Sequence, residues 1–220
     1  MKKIFAVLVF CLVVSGAFAQ DKVEEYIRTY QELAIKEMLR TGVPAAITLA
    51  QGILESQSGE SDLARKSNNH FGIKCKNDWT GATVYHDDDA RGECFRSYDN
   101  AEQSYRDHSD FLKSRPHYTF LFSLDPTDFE GWAKGLKKAG YATSPTYADR
   151  LIGLIRRYNL QEYTLVALNR KKGNEDEMFS YAKDETPDIP EQPADTTRDV
   201  EAVAPNSGTG EAETVPAAVI

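Results

Sequence analysis

The chain has 220 residues, 41% of them hydrophobic and 27% charged, which is enough apolar material for one ordinary globular domain plus extensions. A mean hydropathy of −0.51 excludes a polytopic membrane protein. The net charge of −8 sits entirely in residues 171–220, where four Lys and Arg face twelve Asp and Glu; residues 1–170 carry 22 of each sign, and no basic cluster marks a nucleic-acid face.

The N-terminus reads as an export signal. Lys2 and Lys3 precede an apolar run of eleven residues, Ile4 to Val14, and Ala17-Phe18-Ala19 offers the small residues of a cleavage site. The run is too short to span a bilayer, which takes about 20 residues, so residues 1–19 are expected to be removed and no membrane span to remain. An exported protein, periplasmic or secreted, follows. Of the three cysteines, Cys11 would leave with the signal; Cys75 and Cys94 then form an even pair in an oxidising compartment, where a disulfide is expected.

Helical signals dominate residues 20–168. Val23, Tyr26, Ile27, Tyr30, Leu33, Ala34 and Met38 recur at three- and four-residue spacing, as one face of an amphipathic helix requires. Thr41-Gly42 ends that helix, and Pro44 suits the first turn of the next, whose Ala45–Leu54 stretch is apolar on most sides. From Phe71 to Phe95 the helical period disappears; Gly72, Gly81, Gly92 and the β-branched pair Thr83-Val84 predict two or three short strands with turns. Asp99 or Asn100 begins another helix, with Glu102 or Gln103 completing a capping box, and Tyr105, His108, Phe111 and Leu112 forming its apolar face. Thr127-Asp128 or the preceding Asp125-Pro126 opens a further one, ended by Gly140, and a last helix begins near Thr146. Residues 169–220, with five of the nine prolines in residues 171–220, read as an acidic disordered tail. The expectation is a mainly α (α+β) domain: a helical body with a small β-hairpin lobe.

Three elements carry candidate chemistry. Glu55 ends the apolar helix. If buried, its carboxyl is desolvated and kept protonated, as a general acid needs; if it faces solvent, it is an ordinary helix terminus. Asp87-Asp88-Asp89 lies in the β region. It is a solvated turn, or it places a carboxylate across a cleft from Glu55, the pairing glycoside hydrolysis uses. It lacks the Gly and closing Glu of a calcium loop. Gly140-Tyr141-Ala142-Thr143, followed by Tyr147, offers aromatic rings suited to sugar stacking, or, for Tyr147, an ordinary packed helix residue.

Four motifs occur together: Gly42-Val43-Pro44 through Ala50-Gln51-Gly52-Ile53-Leu54-Glu55-Ser56, then Asn69-His70-Phe71-Gly72-Ile73-Lys74, then Phe95-Arg96-Ser97-Tyr98, then Gly140-Tyr141-Ala142-Thr143 with Tyr147-Ala148. In this order, over roughly residues 25–160, the chain resembles glycoside hydrolase family 73, the bacterial cell-wall glucosaminidases. The resemblance implies a lysozyme-like fold. It implies cleavage of the β-1,4 bond between N-acetylglucosamine and N-acetylmuramic acid in peptidoglycan, by a monomer that needs no metal or cofactor and has glycan strands as its partner. It implies Glu55 as the catalytic acid, Tyr141 as an active-site tyrosine, and Asp87 or Asp88 as the second acid of the β lobe, with Glu93 nearby. Asn69, Phe71, Gly72 and Tyr147 are then the expected substrate-binding residues. Relatives often carry Trp where Ser58 stands. The competing readings are a muramidase or lytic transglycosylase on the same fold, and a non-catalytic peptidoglycan-binding domain.

Overall fold

The computed structural model describes residues 22–76, 79–87 and 91–184, with side-chain burial given as far as residue 176. The expected signal (1–19), Asp88 and the stretch after Asp184 lie outside the described residues.

Helix α1 (Lys22–Thr41) buries Tyr26, Ile27, Ala34, Ile35 and Met38 on the face its spacing predicts. It stops at Gly42, whose φ of +91° places it in the left-handed region that favours glycine, with its N–H returned to the Met38 carbonyl at 2.8 Å. Helix α2 (Ala45–Glu55) is the axis of the fold: every residue from Ala45 to Ile53 is buried. Pro44 offers no side-chain cap. The Thr164 hydroxyl, from the far end of the chain, accepts instead from Ala46 N–H at 3.0 Å.

A short α3 (Asp62–Ser67) follows, capped by the Ser61 hydroxyl and closed by left-handed Asn68. The β lobe comes next. Strands β1 (Thr83–His86) and β2 (Glu93–Arg96) pair antiparallel, with Tyr85 opposite Cys94, and Lys74 adds a single bridge to Phe95. The lobe is thus two strands plus a bridge. Cys75 and Cys94 form the expected disulfide across its base.

Helix α4 (Ala101–Ser114) opens on the capping box: Asn100 Oδ1 accepts from Gln103 N–H, and Gln103 Oε1 accepts from Asp99 N–H. A 3₁₀ segment (Pro116–Ser123) leads to α5 (Phe129–Lys138), whose cap is Asp128. Helix α6 (Tyr147–Arg157) is not the last. A further helix, α7 (Gln161–Asp184), continues past the domain boundary expected at residue 168. It holds on through Leu160, Thr164 and Ala167, all buried, and through an Arg170–Glu32 ion pair to α1. The acidic composition of the terminal stretch hides this short apolar register.

Helix α2 packs against α1, α5, α6 and α7. Its C-terminal end, Glu55, lies beside Tyr147 at the start of α6 and Tyr141 after the Gly140 turn. No helix among the described residues is long and apolar enough to cross a membrane.

Candidate active site

Gln51 and Glu55 stand four residues apart and so share one face of α2. The Glu55 side chain is half-buried, and one carboxylate oxygen is fully enclosed. The Tyr147 hydroxyl accepts from Gln51 Nε2 at 2.9 Å and stands beside this carboxylate, close enough for the two to interact. Tyr141, from the turn closed by Gly140 (φ +81°), stacks on Tyr147 with ring centroids 5.7 Å apart. Burial first, and the neighbouring Glu55 charge second, push both phenols well above their ordinary pKa. Both rings therefore stay protonated, and Tyr147 keeps a proton to offer Glu55. The structure brings together three residues that lie up to 92 positions apart in the sequence.

The chain turns sharply after Glu55. Gln57 (φ +52°), Ser58 (+58°) and Gly59 (+79°) are three consecutive left-handed residues. Two of them carry side chains and are strained there. Ser56, fully buried, holds the turn: its hydroxyl donates to the Gly52 carbonyl and accepts from Gly59 N–H at 2.7 Å, while its own carbonyl accepts from Ser61 N–H. The backbone leaves α2 within one turn of Glu55.

Other expected site residues are placed differently. Asn69 is buried, and its amide is spent on backbone. Nδ2 donates to the Ile73 and Arg96 carbonyls, and Oδ1 accepts from the Phe71 and Ile73 N–H groups. It joins the helical body to the lobe, and its side chain is almost wholly buried. Phe71 is also fully buried, stacked face to face on His108 with centroids 4.0 Å apart. Gly72 is buried in a left-handed turn (φ +62°) of the same loop. Tyr147 is a buried partner of Glu55 rather than an open stacking platform.

In the lobe, Asp87 is exposed, and its Oδ1 accepts from Gly92 N–H at 2.7 Å, closing the hairpin loop. Asp88 lies outside the described residues. Glu93 pairs with Lys74 at 2.9 Å. Arg96, over the Trp79 ring, and the Tyr98 hydroxyl both bond Asp107 and fix the lobe to α4. No group of three or more His, Cys, Asp or Glu among the described residues is placed to hold a metal ion.

Two residues near Glu55 escaped sequence reasoning as site residues. Gln51 is fully buried in an otherwise apolar helix, and its Oε1 lies 3.1 Å from Nε2 of the equally buried His108. Burial lowers the His108 pKa to about 3, so the ring is neutral. The available signal was a lone amide inside an apolar run, one helical turn before the acid.

The description mannosyl-glycoprotein endo-beta-N-acetylglucosaminidase belongs to the family model that matches residues 31–160. The chain is 34% identical over 143 residues to the peptidoglycan hydrolase FlgJ of Vibrio parahaemolyticus, across 60% of this chain and 46% of that one. It is 33% identical over 127 residues to the exo-glucosaminidase LytG of Bacillus subtilis, across 54% of this chain and 45% of that one. The match thus spans less than half the length of either relative. Among solved structures, the peptidoglycan hydrolase from Sphingomonas sp. A1 superposes with a TM-score of 0.56 at 32% identity, over 65% of this chain and 94% of that one. The glycoside hydrolase domain of Salmonella typhimurium FlgJ gives 0.53 at 25% identity, over 76% and 100%. The family match covers more than half of the sequence and falls on the helical body with its β lobe: the chain belongs to the glucosaminidase family of glycoside hydrolases.

Proposed function

We propose that the protein is an exported peptidoglycan hydrolase that cleaves the β-1,4 bond between N-acetylglucosamine and N-acetylmuramic acid, with Glu55 as the general acid. The observation that carries this reading is the Glu55 carboxyl, half-buried at the end of an apolar helix with one oxygen fully enclosed. Such a setting suits a carboxyl that protonates a leaving glycosidic oxygen. Two routes complete the reaction. A β-lobe carboxylate, Asp87 or Asp88, activates water on the opposite face of the sugar; or the acetamido group of the substrate attacks the anomeric carbon, and the Asp positions it. The hydrogen bond from Gly92 engages one oxygen of Asp87 and leaves the other for either task.

Export follows from the substrate, because the wall lies outside the cytoplasmic membrane. The Lys2–Ala19 signal and the Cys75–Cys94 bridge both fit that route. The test is mass spectrometry of fragments released from purified peptidoglycan. Reducing N-acetylglucosamine ends are expected. Reducing N-acetylmuramic ends would make the protein a muramidase, anhydro-sugar ends a transglycosylase, and binding without turnover a glycan-binding domain.

A further inference from the structure

We propose that Gln51 and His108 are positioning residues that aim the Tyr147 hydroxyl proton at Glu55. The inference rests on Glu55 being the acid and deepens that reading.

Three buried groups stand in line behind the carboxyl. His108 Nε2 is 3.1 Å from Gln51 Oε1, Gln51 Nε2 is 2.9 Å from Tyr147 Oη, and the Tyr147 hydroxyl stands beside Glu55. The order of donors in this line is fixed by its far end. A neutral imidazole carries one proton, on Nε2 or on Nδ1. His108 Nδ1 is buried and has no hydrogen-bond partner. A proton there would be an unsatisfied buried donor and would carry the full desolvation penalty. The proton therefore sits on Nε2 and points at Gln51. That choice makes the Gln51 atom facing His108 the carbonyl oxygen, so its amide N–H faces Tyr147. The phenol oxygen then accepts from Gln51, and its single proton is left for Glu55. With the amide turned round, Gln51 Oε1 would face Tyr147 and draw that proton away from the carboxyl.

The anchor is itself held. The His108 ring stacks on Phe71, with centroids 4.0 Å apart and planes 16° apart, and it is neutral because burial disfavours its charged form. Phe71 thereby gains a purpose that its burial denied it as a sugar contact. The relay sets the direction of one hydrogen bond and the rotamer of one carboxyl. It touches no substrate, so its loss should slow turnover without weakening binding.

The test uses the mature protein and soluble, uncross-linked glycan strands of alternating N-acetylglucosamine and N-acetylmuramic acid. Gln51→Met and His108→Phe each remove one link and keep the buried volume close to its original value. Each is expected to lower kcat by about 10- to 100-fold, the scale of a misaligned reacting group, with KM changed by less than about twofold. Because the residues act as one unit, the double variant should be no slower than the slower single. His108→Gln, which keeps an N–H donor, should recover part of the loss. Single variants with unchanged kcat, losses that appear in KM, or losses that multiply in the double variant would overturn the proposal. Should Gln51→Met fail to fold, His108→Phe and Tyr147→Phe break the same line at its two ends and make the same comparison. Glu55→Gln is assayed in parallel: full turnover there would remove the assignment of Glu55 itself, whereas an inactive Glu55→Gln beside fully active relay variants would remove only the relay.

Discussion

Gly52→Ala sets two physical effects of opposite sign against each other. Gly52 is a buried position near the C-terminal end of α2, and by intrinsic preference alone Ala in a helix is favoured over Gly by about 1 kcal/mol. The packing opposes this. A Cβ at Gly52 would lie 2.4 Å from Tyr26 Oη and 3.2 Å from Tyr105 Oη. Comfortable contact begins near about 3.5 Å, so the Tyr26 hydroxyl must retreat by about 1 Å. That hydroxyl is the middle of a buried chain: it accepts from the Tyr105 hydroxyl at 2.8 Å and meets His70 Nδ1 at 3.0 Å. Overpacking costs about 1–3 kcal/mol, and each buried polar group that loses its partner adds about 1–3 kcal/mol. After the helix-propensity gain is subtracted, a net loss of about 1–5 kcal/mol is expected, centred on about 3. For a domain of this size the central value corresponds to a Tm lower by roughly 5–15 °C, read by circular dichroism in thermal and urea unfolding. Tyr26→Phe removes the obstructing oxygen, so Gly52→Ala should cost at least about 1 kcal/mol less in that background than in the wild type. A Gly52→Ala protein as stable as the wild type, or more stable, would refute the packing account and leave helix propensity in charge.

Other outcomes follow from the same structure. Burial pushes His70 and His108 down to about 4 and about 3, from an ordinary 6.5. Below pH 6.5 the unfolded chain takes up protons that the folded one refuses. Stability is therefore full above that pH and falls as the pH drops toward 4, by up to about 1.4 kcal/mol per pH unit for each His. Urea midpoints measured between pH 7 and 4 should show the fall, and His70→Gln should flatten it. Reducing the Cys75–Cys94 bridge, which spans 19 residues, should cost about 3 kcal/mol in urea unfolding; unchanged midpoints would show that the bridge constrains little. Asn69→Ala loses four hydrogen bonds to backbone and should cost about 2–4 kcal/mol of stability while leaving KM unchanged at a temperature where it is folded. A raised KM at unchanged stability would return Asn69 to the substrate.

The helical body was legible because its apolar residues recur at the helical spacing and its ends carry recognisable stops. The Asn100 box and the Gly42 and Gly140 turns stand where those signals put them. Helix α7 was not legible. It is secured by Leu160, Thr164 and Ala167, too thin a stripe to register against the acidic residues that follow, and the role of Thr164 as a cap for α2 exists only in three dimensions. The same divide runs through the site. Glu55 and the two tyrosines lie in motifs, and the fold brings them together. A motif does not say how its residues act, however: Asn69 and Phe71 belong to one of the motifs and spend their side chains on backbone and core. Gln51 and His108, 57 positions apart, become partners only once the fold brings the two residues together.

The claim that Glu55 is the acid is tested most directly by zymography on purified peptidoglycan, comparing the wild type with Glu55→Gln, alongside circular dichroism of both. The account predicts a cleared zone for the wild type and none for Glu55→Gln, with superimposable spectra and melting curves. Clearing by Glu55→Gln at the wild-type rate would contradict it.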